Sequence, residues 1–223
     1  MAGFDRQNVT ISVQALRRMP QYLFFLRQLA EQGHEYVSSA RVADSFGLTE
    51  IQVRKDFAAV ASVPGKPKAG FLVQDLINGM ETSLGFRNTK DAVLVGVGSL
   101  GSALMNYRGF KQYGLHIIAA FDNHPERIGR EIAGKTVLSA ESITSICQRL
   151  QVKIGIISVP DLQAQHVCDQ LVAGGVKALW NFTSVQLSIP DGVLVQNENL
   201  AASLAILSRH LDETMNTAVT ENE

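Results

Sequence analysis

A chain of 223 residues, 46% of them hydrophobic, can fill one large domain or two small ones, and its net charge of -1 at pH 7 argues against a generally basic nucleic-acid binder. No apolar stretch approaches the roughly 20 residues that a spanning helix needs, and the polar start Asp5-Arg6-Gln7 lacks a signal peptide's apolar centre, so a cytoplasmic chain without membrane contact is expected. Cys147 and Cys168 form no C-x-x-C pair and have no clustered histidines, which predicts reduced structural thiols with neither disulfide nor metal.

The first part of the chain is patterned as helices. From Val13 to Gln32, the residues Leu16, Met19, Leu23, Phe24, Leu26, Leu29 and Ala30 mark a helical stripe closed by Gly33, with Pro20 expected to kink or restart it. A short helix follows in Val37 to Phe46, with Ser38 or Ser39 as N-cap, and Gly47-Leu48 make a turn. Thr49 caps a third helix, Glu50 to Ala61, in which Ile51, Phe57 and Val60 are expected to face inward and Gln52, Arg54 and Lys55 outward. The order helix, short helix, glycine turn, polar-faced helix predicts a helix-turn-helix, and the Gly- and Pro-broken Val63 to Val73 suits a hairpin wing. From Ile51 to Val73 the cations Arg54, Lys55, Lys66 and Lys68 face a single acid, Asp56, a local basic patch able to meet phosphate.

A break near Gly85 to Lys90 separates this part from strand and helix in alternation, dividing the chain into 1–85, 86–196 and 197–223. Strands are expected at Ala92 to Val97, His116 to Phe121, Thr136 to Leu138, Ile154 to Val159 and Val176 to Phe182. Helices are expected at Ser99 to Tyr113, Ala140 to Leu150 and Leu162 to Gly174, which together predict a doubly wound parallel α/β sheet of Rossmann type. A last helix, Glu198 to about Met215 with Asn197 as N-cap, carries Leu200, Leu204, Ile206, Leu207 and Leu211, and a frayed tail is expected after it.

The chemistry concentrates where the first of these strands ends. Gly96, Gly98 and Gly101 follow an apolar run, and Asp122 stands 21 positions after Gly101. That is a dinucleotide fingerprint: the first glycine allows the tight turn, the second lets a pyrophosphate approach the backbone, and the third lets helix pack on strand. Asp122 is placed to accept from the adenosine ribose and to repel a 2′-phosphate, which favours NAD over NADP. The later strand ends, Ser158-Val-Pro160 and Trp180-Asn-Phe182, offer an apolar surround with Asn181 as its polar exception. Oxidised nicotinamide is charged and the reduced ring neutral, so such a pocket favours NADH. A catalytic domain and an evident proton donor are missing; His166 is the best histidine and is expected to face solvent, and His124 sits at the adenosine end.

These residues resemble the Rex redox-sensing transcriptional repressors of bacteria. The resemblance spans almost the whole chain: Ser38-Ser39, Val53-Arg-Lys-Asp56, Gly98-Ser-Leu-Gly-Ser-Ala-Leu104, Asn106-Tyr-Arg-Gly-Phe110, Ala120-Phe-Asp122, Pro125 with Ile128-Gly129, Val159-Pro160, Ala164-Gln165, Asn181-Phe182 and Asn197-Glu-Asn-Leu200. It implies a homodimer that binds double-stranded operator DNA and is released by NADH, with the terminal helix exchanged between subunits. Position by position, it implies Gly96, Gly98, Ser99, Leu100 and Gly101 at the pyrophosphate and Asp122 at the ribose. Val159, Pro160 and Phe182 fall around the nicotinamide, with Tyr107 near it and near the subunit interface. Ser38, Ser39, Gln52, Arg54, Lys55, Lys66 and Lys68 fall at DNA contacts, and no residue is expected to be catalytic.

Three segments depart from that pattern. Ala59-Val-Ala61 stands where a Phe-Gly pair is usual, and the wing Pro64 to Phe71 is one residue longer with Phe71 for tyrosine. Thr183-Ser184 replaces Ala-Pro, which is expected to loosen the strand end. Two other readings stand beside the repressor: a small NAD-dependent oxidoreductase, and a regulator that binds coenzyme A through the same kind of glycine-rich opening.

Overall fold

The computed structural model describes residues 11–86, 90–198 and 200–220, with side chains for all of these except 200 and 213–220. Residues 87–89 of the expected break, Asn199 and the last three residues of the tail lie outside the described residues. The chain forms two compact units, Met1–Asn88 and Thr89–Glu223.

In the first unit, helix α1 (Val13–Glu31) starts at Ser12, whose hydroxyl accepts from the Ala15 amide at 3.2 Å. It passes through Pro20 as one element, without the restart that was one of the two expectations there. Pro20 removes one ladder bond, but Met19, Tyr22, Leu23 and Leu26 are buried around it, and core packing keeps the helix whole. A short strand β1 (Tyr36–Val37) leads to α2 (Ser39–Phe46), capped by Ser38. Gly47 takes the left-handed conformation (φ 62°) that turns the chain toward α3 (Glu50–Val60), capped by Thr49.

On α3 the buried side chains are Val53, Asp56, Phe57 and Val60, a helical i, i+3, i+4, i+7 face. Ile51, expected inward, is 65% exposed. Six residues from Phe57 is about 120° around the helix, so both cannot enter one core. The wing closes where Lys66 and Gly70 bridge, and its returning strand β2 (Phe71–Leu72) pairs antiparallel with β1, Val37 opposite Phe71. Then comes α4 (Val73–Ser83), a helix absent from the sequence reading, which buries Val73, Leu76, Ile77 and Met80. Tyr22 meets Phe46 and Phe57 edge-on at 5.6 and 5.8 Å, and Phe57 meets Phe71 at 5.4 Å, so α1, α2, α3 and the wing share one aromatic core.

In the second unit, the described strands are β3 (Lys90–Val95), β4 (Leu115–Asp122), β5 (Glu131–Ile132), β6 (Lys135–Ser139), β7 (Ile154–Ile157), β8 (Ala178–Asn181) and β9 (Leu194–Asn197). They form one sheet in the order β5-β6-β4-β3-β7-β8-β9, parallel throughout except for β5 against β6. Helices α5 (Ser99–Asn106), α6 (Gly109–Gln112), α7 (Ile143–Leu150) and α8 (Asp161–Ala173) fill the crossovers, and α9 (Leu200–Thr220) closes the chain. Val93 and Val95 pack with α7 and α8 on one face, and Ala92 and Leu94 with Met105 of α5 on the other, the alternation that a doubly covered strand requires. The chain leaves β3 toward β4 and β6, then returns to β7 on the opposite side. The strand order therefore reverses at β3, and the crevice for a ligand opens at its carboxyl end.

Four details differ from expectation. The helix expected over Ser99 to Tyr113 is two, broken at Tyr107 (ψ 103°). Strands β5 and β9 were unforeseen, because β5 has two residues and β9 is an exposed edge with no buried alternation. Asn197 ends β9 and does not cap the terminal helix: its Oδ1 accepts from Asn181 Nδ2 at 2.9 Å, and Glu198, expected as the first helical residue, is not helical. The terminal helix also continues through Thr220, beyond its expected end. No helix among the described residues is long and apolar enough to cross a membrane.

Candidate functional site

The glycine turn after β3 is built by contacts that only hydrogen could occupy. Gly96 has φ +92°, and a Cβ there would stand 2.5 Å from the Ser158 carbonyl oxygen. At Gly101 a Cβ would fall 1.8 Å from the Gly96 carbonyl oxygen, so α5 can start against the turn only with glycine there. Gly98 meets nothing within 4 Å. Its missing side chain serves no packing, and leaves an open backbone approach at the N-terminus of α5, where amide N–H groups point outward. Ser158 ties the turn to β7: its amide donates to Val95 O at 2.9 Å and its hydroxyl to Gly96 O at 2.9 Å.

Asp122, at the end of β4, is 3% exposed. Its Oδ2 accepts from the Val97 amide at 2.8 Å and from Arg127 Nη1 at 3.2 Å, and its Oδ1 accepts from the His124 amide at 2.8 Å. Burial pushes this carboxyl up, but the bonds from His124, Val97 and Arg127 outweigh it and hold the group below its usual 3.8. It is an anion with one lone-pair direction on Oδ1 still available, and a second on Oδ2 if Arg127 moves aside.

A cavity of about 890 Å³ opens over these groups, lined by Gly96, Gly98, Ser99, Leu100, Asp122, Val159 and Pro160 of the expected set. That volume suits a nucleotide-sized ligand. His124, Arg127 and Glu141 line one side, and α8 presents Gln163, His166, Val167 and Gln170 on the other. The residues 163, 166, 167 and 170 repeat at i, i+3, i+4, i+7; that spacing was legible, and only His166 was singled out from it.

Gly101, Tyr107 and Phe182 do not line the cavity. Gly101 lies behind the turn, while Tyr107, Phe110, Trp180 and Phe182 form a chain of rings with centroids 4.9, 5.5 and 5.0 Å apart. The Phe182 amide donates to Ile157 O at 2.9 Å, which brings this chain to the end of β7 beside Ser158. Asn181 is fully buried with both amide atoms used: Nδ2 donates to Val185 O and Asn197 Oδ1, and Oδ1 accepts from the Thr183 amide and hydroxyl. It is a structural knot rather than a polar wall of a ligand pocket. Thr183-Ser184, expected to loosen this strand end, is itself tied down there: the Ser184 amide donates to Asp161 Oδ1 at 3.1 Å and its hydroxyl also bonds that carboxylate.

In the first unit, the expected DNA contacts fall into two groups. Gln52 and Lys55 border a shallow cavity of about 460 Å³, and Arg54 lies exposed on α3 with its guanidinium paired to Glu50. Glu50 also accepts from the Ser39 hydroxyl at 3.2 Å, and these bonds, Arg54 first, hold its carboxyl below the usual range. Ser39 is consequently buried, while Ser38 stays exposed with its hydroxyl accepting from the Arg41 amide. On the wing, Lys66 donates to Tyr36 Oη at 2.6 Å and lies 4.9 Å from that ring's centre, and Lys68 sits exposed at φ 63°.

Asp56, counted in sequence as the one acid of the basic patch, does not face outward. Arg18 grips it bidentately with two 2.9 Å bonds, and Tyr22 Oη donates to it at 3.2 Å. Burial and then the Asp56 charge push the Tyr22 hydroxyl up to about 12. Asp56 is thus spent inside the unit, and the acid that meets the basic surface is Glu50, paired with Arg54. Among the described residues no three His, Cys, Asp or Glu side chains gather as a metal site.

The fold and these sites define a class: a winged-helix unit joined to a dinucleotide-type sheet, the plan of a ligand-controlled transcription regulator. Residues 10–58 match the family model "Putative DNA-binding protein N-terminus", and residues 87–185 match "CoA binding domain". The chain is 39% identical to the redox-sensing transcriptional repressor Rex of Treponema denticola, over 86% of this chain and 91% of that protein. It is 41% identical to Rex of Porphyromonas gingivalis over 86% and 88% of the two chains, and 38% identical to Rex of Carboxydothermus hydrogenoformans over 93% and 97%. Among solved structures, RSP, a Rex-family repressor, in complex with beta-NAD+ and operator DNA matches with TM-score 0.84 at 31% identity, covering 96% of this chain and 98% of that one. RSP in complex with beta-NADH matches with TM-score 0.83 at 31% identity, covering 94% and 98%. The chain belongs to the Rex family of redox-sensing transcriptional repressors.

Proposed function

We propose that this chain represses transcription as a homodimer bound to operator DNA, and that NADH in the Asp122 cavity releases it. Residues 1–85 would bind DNA, 86–196 would bind the nucleotide, and 197–223 would be exchanged between subunits. The observation that carries the reading is a buried Asp122, its carboxyl held below the usual range, lining one cavity with the open backbone of Gly98. Gly96, Gly98, Ser99 and Leu100 would hold the pyrophosphate, with Gly101 fixing the turn from behind. Asp122 would take the ribose, and Val159, Pro160, Phe182 and Tyr107 would lie toward the nicotinamide end. When bound, the nucleotide supplies the redox signal, and the chain's residues bind it and perform no chemistry on it.

Ser38, Gln52, Arg54, Lys55, Lys66 and Lys68 would meet the DNA, with Ser39 acting through Glu50. Helix α9 supports the dimer: Leu204, Ile206, Leu207 and Leu211 are 57 to 65% exposed, an apolar face that a partner subunit would cover. A repressor works where its DNA is, and we place it in the cytoplasm. Moving the dimer from 99:1 to 1:99 between its DNA-competent and DNA-incompetent states needs about 10⁴-fold differential affinity for NADH, shared by two sites. Titration of NADH and NAD+ separately against an operator-bound sample tests this. NADH is expected to release DNA at far lower concentration, and equal release by both would overturn redox sensing. The "CoA binding domain" match favours coenzyme A as a second ligand to try, and calorimetry against NADH separates the two.

A further inference from the structure

We propose that Trp180 is a positioning residue through which the nucleotide cavity acts on helix α9, its indole N–H holding the Glu198 carboxylate at the root of that helix. The inference rests on the reading that NADH controls DNA binding and that α9 joins the subunits, and it names the side chains that connect the two. Trp180 lies on β8, and its Nε1 donates to Glu198 Oε1 at 3.0 Å. Glu198 stands two positions before α9, and its amide donates to Asn181 O at 2.8 Å. Side chain and backbone together fasten the segment that leads into α9 to the end of β8.

Two routes run from the cavity to this indole, which does not itself line the cavity. The first follows the sheet: Ser158 is bonded to Gly96 O in the glycine turn, the preceding Ile157 O accepts from the Phe182 amide, and the Phe182 ring lies 5.0 Å from Trp180. The second follows α5, which starts at Ser99 on the cavity wall and ends before Tyr107. The Tyr107 ring meets Phe110 edge-on at 4.9 Å, and Phe110 meets Trp180 at 5.5 Å. Close-packed rings pass a displacement on rather than absorb it, so a shift of the turn or of α5 arrives at the same side chain. An indole has one polar atom, a donor, and here it is spent on Glu198. Beside that bond the wall is open: Trp180 and Glu198 line a groove of about 300 Å³ with Leu115, Ile154, Ala178 and Gln196. Ring and carboxylate therefore have room to part, and once parted the segment before α9 keeps only its backbone bond to Asn181.

The test reads the ratio of operator dissociation constants with and without saturating NADH, on the full-length protein and an operator duplex selected from a random pool. Trp180→Phe, which keeps a ring and removes the N–H, is expected to shrink that ratio about tenfold, the factor that one lost hydrogen bond represents. Glu198→Ala is expected to shrink it equally while calorimetric NADH affinity stays at the parent value. The double variant is expected to be no worse than either single one, as the two ends of one bond must be. Glu198→Gln retains an acceptor and is expected to keep the parent ratio. A parent-like ratio in Trp180→Phe or Glu198→Ala, or additive losses in the double variant, would overturn the proposal and leave the NADH-controlled repressor standing. A ratio of one in the parent protein would overturn that reading first. Trp180 is the chain's only tryptophan, so fluorotryptophan labelling of the parent protein gives a single fluorine resonance. It is expected to move on NADH saturation, and an unmoved resonance would overturn the proposal without any variant.

Discussion

Each unit buries one aspartate against one arginine, and the two pairs are built in opposite ways. In the first unit, Asp56 is held by side chains: Arg18 takes both oxygens, Tyr22 adds a third bond, and the side chains of Arg18 and Asp56 are 19% and 7% exposed. In the second, Asp122 is held by two backbone amides and a single 3.2 Å bond from Arg127, which is 44% exposed at the rim of a cavity. The first pair is closed and fastens α1 to α3. The second lines a cavity, its anion fixed by the backbone and its cation half-exposed beside it, a form that suits a reversible ligand site. Burial of a charge is common to both pairs, and what differs is the source of its partners.

The comparison breaks most sharply at Arg18. Removing one partner of a buried pair strands a charge, so Arg18→Ala is expected to lower unfolding free energy by about 3 to 5 kcal/mol in chemical denaturation. NADH affinity is expected to survive at temperatures where the variant stays folded; a loss of nucleotide binding from folded protein would mean that this pair is not purely structural. Next in size, Asp122→Ala is expected to weaken NADH about 100-fold, equivalent to about 2.7 kcal/mol, because the ribose loses a charged acceptor. Calorimetry reads it, and unchanged affinity would remove the ribose role.

Smaller effects sharpen the same contrast. Arg54→Ala is expected to weaken operator binding about tenfold and to reduce the salt slope by about one, with NADH affinity unchanged; equal binding across sequences and salt would remove α3 as the reader. Asp122 also predicts an acid limit. Its folded pKa lies below the ordinary value, so its contribution to stability is complete above about 4 and fades as pH falls through the lowered folded value. Thermal unfolding from pH 6 to pH 2.5 is expected to show less acid loss in Asp122→Asn than in the parent chain. Identical pH profiles would mean that the carboxylate adds no stability.

The glycine turn and Asp122 were legible because their constraints are local: a strand, a turn, a helix start and the next strand end lie in one stretch of chain. Asp56 was misread because it follows Arg54 and Lys55 and looked like part of a solvated charge run. The spacing of 53, 56, 57 and 60 already placed it inward, but its partners Arg18 and Tyr22 are 38 and 34 residues away, and nothing local announces them. Helix α4 had a readable stripe in Val73, Leu76, Ile77 and Met80, hidden by its direct continuation from the wing strand. The role of Thr183-Ser184 could not be read in sequence, since it depends on Asp161 across the sheet end.

The two cysteines carry a consequence of their own. Both are fully buried, and burial pushes the Cys147 thiol up to about 11 and that of Cys168 upward as well. Thiols kept protonated and covered are slow targets for peroxide or disulfide exchange. Direct oxidation of either thiol is therefore a slow way into this protein, and a redox signal enters far more readily through the nucleotide pool than through its sulfur.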